Sequence, residues 1–271
     1  MIGRSLEEVS SWKARISPDL RTLALLITGK GIELRRVEDN SHIRTINGYW
    51  NWLVVFSPDG TLLAAGYAAT TYVGNISVLR IVDGKELFRA DLDGGLSRFY
   101  FTPDGRYLAE TGCPPSLWEI DRGLEKKLPD IPACGGKVVP NAAFSPNGEI
   151  LATFGTPDNS IGFWKASDGQ FLRKTYSRST PRSKPRSYGL IKSIAFTPDG
   201  QVMASASDGF VSASGKPDYS QTLQLWKVSD GSLIHTLAGH VKTVNCVAFN
   251  YDGQILASGS SDGTIRLWKV K

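Results

Sequence analysis

Apolar residues run through this chain in short bursts, each cut off by a tight polar turn, and the bursts come in pairs. Trp52-Leu53-Val54-Val55-Phe56 is followed by Ser57-Pro58-Asp59-Gly60, and then by Leu62-Leu63-Ala64-Ala65. The turn phrase recurs as FTPDG at Phe101–Gly105, FSPNG at Phe144–Gly148, FTPDG at Phe196–Gly200 and FNYDG at Phe249–Gly253. A worn copy, ISPDL, stands at Ile16–Leu20. The six anchors are 40, 45, 43, 52 and 53 residues apart, a period that marks one supersecondary unit repeated. Pro presets φ at the first central turn position, Asp tolerates the second, and Gly accepts the positive φ that follows. Each pair of runs is therefore predicted to be a hairpin, strands a and b of its unit.

A second punctuation follows in each unit. ISVLRIVDGKELF (Ile76–Phe88), SLWEIDRGLEKKL (Ser116–Leu128), IGFWKASDGQFL (Ile161–Leu172) and LQLWKVSDGSLIHTL (Leu223–Leu237) each place Asp-Gly, or a near variant, between two apolar runs. That pattern predicts a two-residue turn with φ > 0 at both central residues, joining strands c and d. Each unit then holds four antiparallel strands, and no stretch sustains a helical period.

A lone four-stranded sheet cannot bury both faces, whereas six stacked around an axis can, with only short edges left at closure. The expected fold is all-β: a six-bladed β-propeller of four-stranded antiparallel blades in a single domain over residues 1–271. The blades fall at about 7–46, 47–92, 93–131, 132–176, 190–237 and 238–271. The last unit ends after its strand c, at Val270-Lys271. Ile2-Gly3-Arg4-Ser5-Leu6 is similar to the strand d at Leu233–Leu237, and residues 2–6 are predicted to close the ring by pairing into the last blade.

The last unit, GHVKTVNCVAFNYDGQILASGSSDGTIRLWKV (Gly239–Val270), resembles a WD repeat of the bacterial kind, and fainter copies cover essentially the whole chain. The signature Trp at the end of strand c is present at Trp118, Trp164, Trp226 and Trp268, and is replaced by Leu79 and Arg35 in the second and first units. The Gly-His pair stands once, at Gly239-His240. The resemblance implies a propeller that serves as a rigid docking platform for other macromolecules. Most members have seven blades, so six repeats mean either a six-bladed ring or a piece of something longer.

Composition narrows the picture modestly. Gly and Pro total 42, as many tight connections require, and three cysteines are few for a disulfide scaffold. Cys246 falls in strand a of the last blade and reads as a small core residue. Cys113 and Cys134 fall in connections at one end of neighbouring blades, either bridged in an oxidising compartment or two free thiols. The N-terminal MIGRSLEEVSSWK has no apolar core of signal-peptide length, and no apolar stretch approaches a membrane span. A cytoplasmic location is expected, provided Met1 is the native start.

Because strands alternate in direction, a–b and c–d turns emerge at one end of each blade, and b–c and d–a connections at the other. Length varies at the second end: Tyr67–Asn75, Pro129–Val139, Ser177–Gly189 and Asp208–Ser220 are all extended. Long connections on a rigid scaffold are where binding residues gather, which makes this end the expected working face. Phe171–Lys192 carries seven Lys/Arg and no acidic residue, so the formal charge of +5 falls to −2 without that segment. Such a loop attracts acidic protein segments, phosphorylated tails or nucleic acid, or it is a solvated loop with no dedicated ligand. Ser and Thr beside its Arg residues are candidate phosphorylation sites, which would cut the charge.

Trp50 precedes strand a at the place equivalent to Thr243, which in similar propellers rims the central channel. It is the expected apolar anchor for a partner, with Tyr67, Tyr72, Tyr188 and Tyr219 in nearby connections and Arg178, Arg182, Lys184 and Arg186 supplying positive charge. Tyr49 and Phe210 also fall in connections on this side.

His240, Ser258 and Asp262 have the types of a hydrolytic triad, but no nucleophile elbow accompanies them. Together with Trp268 they match the structural tetrad of the resembled family. The resemblance thus implies a hydrogen-bonded chain joining three strands of one blade, a buried network of donors and acceptors that fixes packing. Thr153 and Asp158 persist in the fourth blade without a matching His. GKGIEL, starting at Gly29, lacks a third glycine and lies in a b–c turn, so it does not read as a phosphate site. Scattered His and Cys give no metal spacing, and no cofactor or catalytic residue is expected. The expected function is a non-enzymatic scaffold for a protein partner, acidic or phosphorylated. Nucleic-acid or anionic-polymer binding and a sensor role within a larger signalling system are the alternatives.

Overall fold

The protein is described by a computed structural model over residues 14–27, 29–68, 73–93, 98–111, 116–128, 141–154, 160–176, 190–211, 217–218 and 222–270. Residues 2–6, Cys113, Cys134 and Asp158 lie outside this range. The chain forms two compact units, Met1–Lys126 and Lys127–Lys271.

The first unit contains three antiparallel sheets. The first sheet runs β1 (Ala14–Ile16), β2 (Thr22–Ile27), β3 (Gly31–Arg36) and β4 (His42–Ile46), and the second runs β5 (Leu53–Phe56), β6 (Leu62–Ala68), β7 (Val73–Arg80) and β8 (Glu86–Asp93). The third is β9 (Phe99–Phe101), β10 (Tyr107–Glu110), β11 (Ser116–Glu119) and β12 (Leu124–Lys127). Each sheet keeps its strands in chain order, as consecutive hairpins require.

The second unit repeats the plan. The fourth sheet is β13 (Asn141–Phe144), β14 (Ile150–Phe154), β15 (Ser160–Lys165) and β16 (Phe171–Tyr176). In the fifth, β17 (Ile191–Phe196) and β18 (Val202–Ser207) pair on to β21 (Leu223–Lys227) and β22 (Leu233–Thr236). Between β18 and β21 the chain makes a separate two-stranded ribbon, β19 (Phe210–Val211) with β20 (Pro217–Asp218). Among the described residues the sixth sheet has three strands, β23 (Val244–Phe249), β24 (Ile255–Ser260) and β25 (Ile265–Lys269).

The turn phrase of the a–b hairpin is a small hydrogen-bonded machine. In the second sheet, Gly60 (φ +71) donates its N–H to Ser57 O at 2.9 Å, while Leu62 N–H donates to Ser57 Oγ at 2.9 Å. The Ser57 hydroxyl donates to Asp59 Oδ1 at 2.5 Å, and Asp59 also accepts the Thr61 N–H. Thr102 with Asp104, and Thr197 with Asp199, repeat the arrangement. These bonds hold Asp199 below the ordinary carboxylate range, chiefly through the Thr197 hydroxyl. In the worn copy Leu20 occupies the glycine position with φ 61, a left-handed conformation that costs an L-residue about 1–2 kcal/mol.

The c–d turns differ from the expected two-residue form. Gly84 N–H donates to Arg80 O and Arg80 N–H to Lys85 O, so four residues, Ile81–Gly84, make the turn. Only the glycine has positive φ, and the same bonds recur around Gly169 and Gly231. Asp83 acts through its side chain, accepting the Lys85 N–H at 3.1 Å. The Arg80 guanidinium, followed by that N–H, lowers the Asp83 pKa to about 2. The Asp of Asp-Gly is selected here as an acceptor for a nearby N–H, which makes a left-handed Asp unnecessary.

Within each unit, successive sheets touch at repeated positions. A Cβ at the turn glycine would meet the preceding sheet's turn proline at Gly60 and Pro18, Gly200 and Pro146, and Gly253 and Pro198. On the strand-d side, Arg44 donates to the carbonyls of Val82 and Asp83, and Arg173 to those of Val228 and Ser229. Buried residues from adjacent sheets fill the space between, as with Ala24, Ile32, Leu34, Val54 and Leu63 in the first unit. The face of the sixth sheet away from the fifth carries Cys246, Ala248, Ile265 and Leu267 exposed. Cys246 is thus a surface thiol and not the core residue its apolar neighbours suggest.

Candidate functional site

The sixth sheet holds the fullest polar constellation. Trp268 Nε1 donates to Ser258 Oγ at 2.8 Å, and His240 Nε2 meets the same hydroxyl at 2.8 Å. On the other ring edge His240 Nδ1 lies 2.8 Å from Asp262 Oδ2. Asp262 further accepts the Thr264 hydroxyl at 2.6 Å and the N–H groups of Thr264 and Val241. The Thr264 hydroxyl is the main reason the Asp262 pKa lies well below the carboxylate range; burial opposes it and the His240 ring adds to it. His240 and Ser258 are buried, and the Ser258 oxygen already serves two partners. A nucleophile would need an exposed, unencumbered oxygen, so this chain of bonds joins Gly239–Val241, β24 and β25 in the manner of a strut.

The network thins in other sheets. Trp164 Nε1 donates to Thr153 Oγ1 at 3.0 Å, and Trp226 Nε1 to Ser205 Oγ at 2.8 Å. Trp118 stacks on Phe88 with ring centroids 5.9 Å apart, and its Nε1 has no hydrogen-bond partner among the described residues.

Trp50 is not a surface anchor. Only 3% of it is exposed, and it packs with Leu26, Ile32, Ile46, Val54 and Phe56 between the first two sheets. Gly48 makes room for it, since a Cβ there would overlap the indole ring. The position before strand a turns inward here because the flanking glycine lets the backbone lie flat over the ring. Its neighbour Tyr49 is 81% exposed instead. Tyr67 is partly buried against the same core cluster. Tyr72, Arg178, Arg182, Lys184, Arg186, Tyr188 and Tyr219 lie outside the described residues.

Of the basic segment, the described residues are already engaged. Arg173 caps carbonyls of the fifth sheet's c–d turn, Lys174 lies over the Tyr176 ring at 5.4 Å, and Lys192 pairs with Asp208 at 3.0 Å. The sequence counts all seven charges alike, whereas three of them have partners within the fold. Among the described residues no group of His, Cys, Asp and Glu has the arrangement to hold a metal ion, and no helix is long and apolar enough to cross a membrane.

Comparison with known proteins agrees with these features. The WD40 model (WD domain, G-beta repeat) matches residues 182–212 and 231–269. The chain is 37% identical over 78 residues to the periodic tryptophan protein 2 homolog of Schizosaccharomyces pombe, spanning 28% of this chain and 8% of that protein. It is 23% identical over 260 residues to the serine-threonine kinase receptor-associated protein of Gallus gallus, spanning 88% of this chain and 72% of the relative. A chain of the mitotic checkpoint complex crystal structure superposes with a TM-score of 0.63 at 20% identity, covering 95% of this chain and 73% of that one. That likeness shows the fold alone. With the repeated hairpins, the strand-c tryptophans and the His240 network, these matches show that the chain carries WD repeats.

Proposed function

We propose that the chain is a non-enzymatic scaffold that docks a protein partner at the b–c and d–a ends of its sheets. WD-repeat proteins are in general scaffolds for protein interaction. The observation that carries the reading is the contrast between the two ends of each sheet. The a–b and c–d turns repeat one hydrogen-bond pattern, while the opposite ends vary, up to the β19–β20 ribbon between β18 and β21. A surface kept uniform serves packing; a surface that varies on the same scaffold serves recognition. The Gallus gallus relative is named for association with a serine-threonine kinase receptor, which is consistent with docking.

The partner segment is acidic or phosphorylated, drawn by Arg178, Arg182, Lys184 and Arg186, which are the charges of the basic segment not accounted for above. The six repeats form one ring, closed by residues 2–6 pairing along the β25 edge of the sixth sheet; in that ring the face of Cys246, Ile265 and Leu267, exposed as described above, is the one that packs against the first sheet. Deleting residues 2–6 then lowers the melting temperature, and unchanged melting would exclude closure by this segment.

A pull-down from source-cell lysate, with and without nuclease, tests the docking role. The intact chain is compared with one whose residues 178–187 are replaced by a short Gly-Ser link. A nuclease-resistant protein captured by the intact chain and lost by the trimmed one is the expected result. Capture that vanishes with nuclease supports nucleic-acid binding instead. An identical capture by both chains removes the basic segment from the site.

A further inference from the structure

The β2–β3 turn and the exit from β4 border an open cleft of about 510 Å3, lined by Gly29, Lys30, Thr45, Asn47, Gly48 and Tyr49. Its shape comes from glycine. Gly31 has φ +116, and a Cβ there would overlap the Ile46 carbonyl oxygen, so the β2–β3 turn can close directly against the β4 exit. Gly48 packs against the buried Trp50 ring, and Gly29 (φ +78) has nothing within 4 Å of where a Cβ would stand.

Among the described residues the lining has one formal charge, the Lys30 ammonium, and no carboxylate. Lys30 is exposed, and among the described residues no ion pair holds it. The Thr45 hydroxyl shares a 2.9 Å hydrogen bond with His42 Nε2, which fixes that side chain at the rim. The Asn47 amide offers both a donor and an acceptor, and the Tyr49 ring stands almost fully in solvent at the edge. Tyrosine is among the residue types enriched where proteins bind one another. The volume is in the range of ligand clefts, although it is larger than one side chain needs.

We propose that this cleft receives a carboxylate side chain from an extended, acidic segment of a partner protein, with an apolar neighbour of that carboxylate against the Tyr49 ring. The inference rests on the docking reading above and names the chemistry of one of its contacts. A carboxylate carries a single charge and matches the single ammonium. A phosphoryl group carries about −1.5 to −2 and is characteristically held by clustered arginines, which the lining lacks. A surrounding of Thr, Asn and backbone suits a planar acceptor reached by hydrogen bonds.

The test uses a phage-displayed library of random heptapeptides selected on the intact chain. Recovered peptides are synthesised with a fluorescent label and titrated by anisotropy against the wild type, Lys30→Gln, Lys30→Arg and Tyr49→Ala. Both side chains are exposed, so the variants should melt as the wild type does, which is checked by circular dichroism. The expected peptides carry Asp or Glu beside an apolar residue. They lose at least tenfold in affinity on Lys30→Gln and on Tyr49→Ala, and keep most of it on Lys30→Arg. Replacing the peptide's Asp by Asn should cost the same factor on the wild type and nothing further on Lys30→Gln. Peptides that bind every variant as tightly as the wild type would overturn the cleft while leaving the docking role standing. A phosphoserine peptide that binds tighter than its Asp counterpart would overturn the carboxylate. Recovery of no peptide would also reject the cleft, with the pull-down deciding the wider role separately.

Discussion

In the sixth sheet, Leu256 lies opposite Trp268 and Ser258 stands two residues on; in the second, Leu63 lies opposite Leu79 and Ala65 stands two residues on. The first pair of places is filled by a hydrogen-bonded Ser and Trp tied to His240 and Asp262. The second is filled by Ala65 and Leu79, both buried, within one apolar cluster. The same position in the repeat thus accepts the full network, a bonded Trp with Ser or Thr alone, as in Trp226–Ser205 and Trp164–Thr153, or an apolar pair. A buried donor with its acceptor is worth about 1 kcal/mol net, whereas an orphaned one costs about 1–3 kcal/mol. Losing Ser and Trp together avoids that cost, and the third sheet, with its unpartnered Trp118 Nε1, shows the intermediate condition.

Changes that break one side of this comparison should follow the count of orphaned groups. Ser258→Ala removes the partner of both His240 and Trp268, and should destabilise by about 3 kcal/mol in denaturant titration. Ser205→Ala strands only the Trp226 N–H and should cost about 2 kcal/mol. Ala65→Ser inserts a hydroxyl opposite the buried Ser77 hydroxyl, which has no partner among the described residues, so the pair can satisfy each other and the change should cost less than about 1 kcal/mol. Leu20→Gly applies the same reasoning to the worn turn: relief of the left-handed leucine should stabilise by about 1 kcal/mol.

Acid is the gentlest way to sharpen the contrast. The Asp262 carboxyl is depressed below its usual 3.8 in the folded state by the Thr264 hydroxyl and then the His240 ring, against the effect of burial. Its contribution is fully present above the unfolded pKa and is lost as pH falls through the folded one. Stability should therefore decline from about pH 4 downward, and Asp262→Asn should flatten that decline when unfolding midpoints are compared at pH 5, 4, 3 and 2.

Much of the architecture was legible because its signals are local. Phe, Pro, Asp and Gly at fixed offsets announce a hairpin whichever sheet it joins, and the apolar runs locate β5–β6 and β23–β24 closely. The role of the Ser or Thr in the same phrase went unread, though its recurrence beside Asp was visible; Ser57 and Thr197 each accept the N–H five residues on. The site was harder to read because exposure depends on which glycine lies beside a side chain. Trp50 and Tyr49 are adjacent and both aromatic, yet Gly48 turns one inward and leaves the other in water. Cys246 misled for a related reason: its strand is apolar, but its face is the one away from the fifth sheet. The basic segment was read as a sum of charges, whereas Arg173 and Lys192 are bound by Val228, Ser229 and Asp208.

The most direct test of the account cross-links a captured protein partner to the chain with an amine-reactive reagent and maps the sites by mass spectrometry. Lys30, Lys192 and Lys242 lie at the b–c and d–a ends of their sheets, and Lys85, Lys165 and Lys227 at the c–d turns. Links concentrated on Lys30, Lys192 and Lys242 are the predicted result. Links concentrated on Lys85, Lys165 and Lys227 would contradict the assignment of the working end and, with it, the docking surface built on it.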